Sequence, residues 1–496
     1  MKMKKVLAGI LAAATAISVA GCGNGKNNVG FVEEDMDAVL KNPYEINWYM
    51  SGTPQDGVAE VEKEINAYIK DKINATVKIN IMESSQYQEQ MASMMQAGEY
   101  FDMCFTAEWQ KYDDYAENGA FLALDGHMEK YMPKTYELSD KKALECAKVG
   151  GKIYALPVIK ENTTCYGWIY RKDIAEKYNI DMTKIKSFEE LEPYLMMIKE
   201  KEPSIAYPID WADSDATPSG GYLDYNILGG AVMALTDANS TKVENILETE
   251  EYMEGCRLAH RFYNEGLVRE DILVSSSEML SNMKNGKTFC TLYQLKPGKA
   301  QELFKGSEYE FEQAPITEPK KPVLYGLGAM TAVSATSKNP ARVLRFIELL
   351  NTDEYLNNLV IYGIEGKHYE KQPDGRVKLL DNSKYSLSGN QWMVANVYLT
   401  YPTSIEDPDK NKLLKEYDES GKVSNVVGFK FRTEPVQMEL AACANVDKQY
   451  RNQLTFGAVD PDSIYEKYMS ELKKAGIDDI KAEVQKQLDE FIAARK

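Results

Sequence analysis

The sequence lacks most of what metal and redox enzymes use. It has 3 histidines, His127, His260 and His368, with no HxxxH or HExxH pair among them. Its 7 cysteines form no CxxC, so neither a zinc ribbon nor a thioredoxin-like motif is present. Cys104, Cys146, Cys165, Cys256, Cys290 and Cys443 are widely spaced, most of them in apolar settings, and read as small buried hydrophobes rather than a disulfide framework. No Gly-x-x-x-x-Gly-Lys-Ser/Thr loop is present, which excludes a P-loop ATPase, and no Gly-x-Ser-x-Gly elbow. Gly326-Leu327-Gly328 stands alone, without a nucleotide-binding context. Asp407, Asp409 and Asn411 copy the start of a calcium loop. Lys412 then stands where that loop needs glycine, and Pro408 stiffens it. No cofactor and no metal are expected. Basic residues are also in deficit: 58 Lys and Arg face 76 Asp and Glu, a net charge of -18 that argues against a nucleic-acid partner.

What is present begins at the N-terminus. Met1 to Lys5 holds three lysines, and Val6 to Ala20 is apolar. That run is about fifteen residues, shorter than the ~20 of a spanning helix, and no later stretch reaches that length. A charged start, a short apolar middle and small residues before Cys22 describe a secretory signal. The ending Val19-Ala20-Gly21-Cys22 resembles the lipobox of bacterial lipoproteins. The resemblance implies that residues 1–21 are removed and that Cys22, lipid-modified, becomes the first mature residue. The mature chain then works on the extracellular face of a Gram-positive cell membrane that it does not cross. Losing the three signal lysines leaves it near about -21, which favours solubility.

At 496 residues the chain is too long for one compact core, and two or three domains are expected. Residues 22–43 are polar, then acidic, and read as a tether. From Tyr44 the pattern alternates. A strand runs to Met50, helical spacing covers Val58 to Ile73, and Val77, Ile79 and Ile81 alternate as a strand. A helix over Tyr87 to Ala97 and a strand over Asp102 to Thr106 follow. This is the order of a parallel sheet covered by helices, whose ligands bind at strand carboxyl ends. Ser51 to Thr53 and Thr106 to Trp109 occupy such ends. Further strands are predicted at Gly151–Val158, Tyr166–Tyr170, Phe289–Tyr293 and Ala329–Ala335. Pro315, Pro319 and Pro322 interrupt regular structure and mark a crossover. Asp478 to Arg495 reads as a helix docked on the core.

Several segments resemble family 1 extracellular solute-binding proteins. These are Tyr87-Gln88-Glu89-Gln90-Met91 through Gly98-Glu99 and Phe101-Asp102, Phe121-Leu122-Ala123-Leu124-Asp125, Gly151-Lys152-Ile153-Tyr154-Ala155-Leu156-Pro157, and Ser334 to Pro340 with the helix after it. From about Asn390-Gln391-Trp392 to Gly476-Ile477-Asp478 the chain resembles a domain of uncharacterised role found in LipO-like lipoproteins. The resemblance implies an α/β, two-lobed clamp of type II with a C-terminal extension. Lobe 1 would hold residues 44–157 and the return 325–370, and lobe 2 residues 158–324. Residues 371–496 would complete lobe 2 and the hinge. It further implies a monomer that closes on its solute and docks on the permease subunits of an ABC importer.

Tyrosine is abundant, 32 against 14 phenylalanines, which suits clefts for polar ligands. Aromatic faces stack on sugar rings while carboxylates and amides bind the hydroxyl rim. On that basis Ser51, Trp109, Glu161, Asn162, Tyr166, Trp168, Asp210, Trp211 (with Asp213) and Trp392 are the candidate ligand-binding residues. Trp48 reads as core. A carbohydrate or oligosaccharide is the expected solute, and no catalytic residues are assigned. The alternatives are a surface glycoside hydrolase, a binder of another solute such as a peptide, and a sensor that presents its ligand to a membrane receptor.

Overall fold

The computed structural model describes residues 36–212, 216–220, 232–274, 278–381 and 383–495. The signal segment, Cys22, most of the tether and Asp213 lie outside them. Among the described residues, no helix is long and apolar enough to cross a membrane.

The chain first builds β1 (Tyr44–Ser51), α1 (Val58–Ile73), β2 (Ala75–Met82), α2 (Ser84–Ala97), β3 (Met103–Thr106) and β4 (Ala155–Pro157). It then forms β5 (Cys165–Arg171), α3 (Phe188–Lys201), α4 (Glu250–Asn264), β6 (Cys290–Leu295) and β7 (Phe311–Pro315). The return brings β8 (Met330–Val333), α5 (Pro340–Thr352) and α6 (Glu354–Tyr362). Four further helices follow: α7 (Lys410–Ser420), α8 (Gln437–Thr455), α9 (Pro461–Ala475) and α10 (Ile477–Ala493).

Lobe 1 is a five-stranded sheet in the order β2-β1-β3-β8-β4. The first three strands are parallel, and β8 runs antiparallel between β3 and β4. Helix α1 buries Val61, Ile65, Ile69 and Ile73 at four-residue spacing, so one stripe faces the sheet. It ends at Asn74, which takes the left-handed conformation (φ 44°) and turns the chain straight into β2. Asp102 fastens the sheet. Its buried carboxylate accepts hydrogen bonds from Tyr44 Oη (2.5 Å), Tyr100 Oη (2.7 Å), Ser337 Oγ (2.6 Å) and the Asn47 amide (2.9 Å). Four donors saturate the carboxylate.

Lobe 2 is centred on a three-stranded antiparallel sheet, β6-β5-β7. Both faces of the middle strand β5 are covered. Trp168 and Tyr170 pack beneath α3 and α4, while Cys165 and Ile169 face a second cluster with Leu295, Phe304 and Phe311. Helices α8 and α9 pack on α4, α10 packs on α8 and α9, and the group buries Leu454, Tyr468, Leu472, Ile480, Val484 and Leu488. Gly457 seats them: a Cβ there would lie 2.2 Å from the Ala259 carbonyl oxygen, and its φ is +78°.

Residues 371–496 divide between the lobes. Val377, Tyr385, Leu387, Val394, Ala395 and Val397 join the lobe 1 core, and only the later part completes lobe 2. Helix α7 begins immediately after Asp409, where the partial calcium pattern stands, and Asp407 caps the turn by accepting the Asp409 amide at 2.7 Å. No group of metal-ligating side chains occurs among the described residues. The six described cysteines are buried and unbonded to one another.

Candidate functional site

Among the described residues the chain passes between lobes three times, at 158–164, 318–324 and the stretch from α7 to Gly428. Beside these crossings lies an open cavity of about 460 Å³ walled by both lobes. Lobe 1 contributes Glu108, Tyr325, Gly326, Gly328 and Trp392, and lobe 2 contributes Gln294, Leu295, Lys296, Lys299 and Glu302. The first crossing contributes Lys160, Glu161, Asn162 and Thr163.

The lobe 1 wall is aromatic. Trp109 follows the carboxyl end of β3 and is 53% exposed. Its indole N–H donates to the Gly328 carbonyl at 3.0 Å, which fixes the ring without covering it. Phe105 lies between it and Trp392, with centroids 5.7 Å and 6.1 Å away. Glu108, beside Trp109, has no ion-pair partner among the described residues. Burial, and secondarily the charge of Asp113, raise its carboxyl above the usual range.

The lobe 2 wall is ionic. Lys296 Nζ lies 3.1 Å from Glu161 Oε1 and 2.9 Å from Glu302 Oε2, and Lys299 Nζ lies 2.8 Å from Glu302 Oε1. Lys160 donates to the Glu161 carbonyl at 2.8 Å. Burial alone would raise the Glu302 carboxyl, but Lys296 and Lys299 outweigh it and hold it at about 2. Burial likewise opposes ionisation of Glu161, and Lys160 and Lys296 overcome it. Both carboxylates are therefore committed to lysines, and ammonium N–H donors remain on this wall for a ligand.

Glu161, Asn162 and Trp392 thus line the cleft, and Trp109 stands at its rim, bonded to the lining residue Gly328. The remaining sequence candidates do not. Trp168 is fully buried on β5, its Nε1 donating to Ile185 O at 2.8 Å and its ring edge-on to Phe188 at 5.1 Å. Trp211 is fully buried between Phe188 and Phe262, at 5.9 Å and 6.3 Å. Asp210 is buried too, 2.9 Å from Arg269 Nε, and accepts the Ala212 amide. These three shape the lobe 2 core, where no solute reaches them. Tyr166 packs half-buried on the edge of the same core. Ser51 sits buried at the end of β1, donating to Ser84 Oγ at 3.1 Å, and does not line the cavity.

The sequence reading missed Glu108, Lys160, Gln294, Lys296, Lys299, Glu302 and Tyr325. One signal was available: Lys299 and Glu302 are one helical turn apart, with Lys296 a turn earlier. A shallower hollow of about 640 Å³ lies on the outside of lobe 2 along α9, and its Lys473 already pairs with Glu248 at 3.3 Å.

Comparison with known proteins bears on the family and the fold. Residues 425–493 match a domain of unknown function, DUF3502. A carbohydrate ABC transporter substrate-binding protein of Streptococcus pneumoniae is 28% identical over 490 residues, covering 97% of each chain. The crystal structure of an N-glycan transport solute binding protein (NgtS) from Streptococcus pneumoniae superposes with a TM-score of 0.81 at 27% identity, covering 92% of this chain and 100% of that one. The same protein in complex with Man5GlcNAc gives a TM-score of 0.70 over the same shares. An alginate-binding protein, AlgQ2, at 18% identity and a TM-score of 0.60 over 91% of this chain and 99% of that one, shares the fold. The model of the bacterial extracellular solute-binding protein family matches residues 51–356, more than half of the chain, and this chain belongs to that family.

Proposed function

We propose that this protein captures an oligosaccharide in its interlobe cleft and delivers it to the permease subunits of an ABC importer. The observation that carries this reading is the pairing of walls. A partly exposed tryptophan on lobe 1, Trp392, lines the same cavity as a row of hydrogen-bond donors on lobe 2, and the exposed Trp109 stands beside it next to Glu108. Sugars present both an apolar C–H face and a hydroxyl rim, and these walls match the two. The relatives named for carbohydrate and N-glycan support the same class of solute. Cys22 anchors the mature chain by lipid at the outer face of the membrane, beside its permease, and the protein acts as a monomer.

The cleft is read as a binding site without catalysis. A glycosidase needs one carboxyl poised as an acid near neutrality. Of the three carboxyls that line the cavity, Glu161 and Glu302 are shifted the opposite way and tied to lysines; Glu108 alone is raised, and a glycosidase needs a second, available carboxylate opposite it. The decisive experiment is calorimetric titration of the mature protein with mannose- and N-acetylglucosamine-containing glycans, including Man5GlcNAc, alongside peptides and polyamines. Saturable binding of a glycan without release of new reducing ends is expected. Binding only to peptides or polyamines, or turnover of the glycan, would overturn the assignment.

A further inference from the structure

We infer that Asp418 is a positioning residue that pins the three interlobe crossings into one pivot and sets how far the lobes stand apart before solute arrives. The inference rests on the solute-capture reading above. Asp418 lies in the last turn of α7, on the third crossing. Its Oδ1 accepts the amides of Asn162 (2.6 Å) and Thr163 (2.9 Å) on the first crossing, and its carbonyl accepts Thr163 Oγ1 at 2.9 Å. Its Oδ2 accepts from Lys321 Nζ on the second crossing at 3.0 Å.

Lys321 carries the connection into lobe 1. Its Nζ lies 3.6 Å from Asp140 Oδ2, and Asp140 also accepts the Tyr325 hydroxyl. Lys321 is buried, so losing Asp418 would leave its ammonium short of a counter-charge in a place water reaches poorly. Short backbone ladders lie around this knot. Thr164 and Lys320 exchange both amide bonds, and the Lys422 amide donates to Pro319 O at 3.1 Å. The first and third crossings touch directly, because a Cβ on Gly421 would lie 2.1 Å from Thr163 Oγ1.

The pivot and the cleft share parts. Asn162 and Thr163 line the cavity, and Tyr417, next to Asp418, donates its hydroxyl to Leu295 O on the lobe 2 wall at 3.0 Å. A change in the set of the crossings therefore moves groups that face the solute. Backbone ladders alone allow the crossings to slide and twist, whereas a carboxylate carried on one crossing and bonded to the other two fixes their common point.

The test measures interlobe distance by electron spin resonance, with spin labels at Glu117→Cys on lobe 1 and Lys201→Cys on lobe 2, both exposed positions, and the six described cysteines buried. In the ligand-free protein, Asp418→Ala is expected to broaden and shift the distance distribution. Asp418→Asn, which keeps the Oδ1 acceptor, should restore most of it. Man5GlcNAc affinity should fall about tenfold in Asp418→Ala, as expected when the binding-competent arrangement becomes a minor state. A role in stability alone would lower the melting temperature and leave the distribution unmoved. If Asp418→Ala does not fold, Lys321→Met decides, with a smaller broadening expected. An unchanged distribution in the folded variant overturns the pivot. Because that measurement needs no ligand, failure of every glycan to bind would refute the solute reading without touching this one.

Discussion

Trp109→Ala tests whether a solute held in the cleft also stacks on the exposed ring at its rim. A tryptophan carries roughly 150–250 Å² of buriable surface, and about half of this one is uncovered. A sugar ring on its face would cover roughly 60–80 Å², worth about 1.5–2 kcal/mol at ~25 cal/mol per Å². That is about a 10- to 30-fold loss of affinity on truncation. The ring is held from below by Phe105 and by one hydrogen bond to Gly328, so its removal should leave most of the fold's stability intact. Trp109→Phe should fall between wild type and alanine. Trp168→Ala is the matching control: it empties a buried core site, costs about 3–5 kcal/mol of stability and touches no solute directly. Calorimetry with the best glycan, together with thermal unfolding of each variant, separates the two effects. A Trp109→Ala affinity within twofold of wild type, measured on folded protein, would refute the stacking argument.

Three further outcomes follow from particular groups. The Glu302 carboxyl is held at about 2 in the fold against an ordinary value of 4.5, so its stabilisation is present above pH 4.5 and is lost as pH falls toward 2; roughly 3 kcal/mol is at stake, and Lys296→Met should flatten that part of a denaturation-versus-pH curve. Gly457→Ala forces a side chain into left-handed backbone and against the Ala259 carbonyl; a loss of more than about 3 kcal/mol is expected, read as early proteolysis of α8–α10. Cys22→Ala should leave glycan affinity in solution unchanged and impair uptake by whole cells, because tethering raises the local concentration at the permease; normal uptake would show that the tether is dispensable.

The alternation in lobe 1 was readable because each element carries its own period. Ile65 and Ile69 mark a helix, and Val77, Ile79 and Ile81 mark a strand, whatever packs on them. The site was legible only where a residue's neighbours in sequence are also its neighbours in space. Trp109 comes straight off a strand end, and Glu161 and Asn162 come straight after Pro157. Trp168 and Trp211 misled because nothing local reveals that β5 is a central strand or that the Asp210 loop folds inward onto α3 and α4. The ionic wall stayed hidden for the same reason: Glu161 meets Lys296 across 135 residues of chain. Helices α7–α9 were not read from the sequence, although α9 buries Tyr468, Met469 and Leu472 on one face and α4 covers one side of α8 and α9.

The position of β8 has a consequence for the order in which the protein takes shape. This strand sits between β3 and β4, yet it is made long after both. In the lobe 1 sheet β4 pairs with β8 alone. A chain emerging from the N-terminus therefore holds an unfinished sheet, with β3 and β4 apart, until residues 330–333 arrive. Such distant pairing delays folding until most of the chain is available. Lobe 1 therefore cannot complete its sheet before the lobe 2 segment that precedes residue 330 has been made.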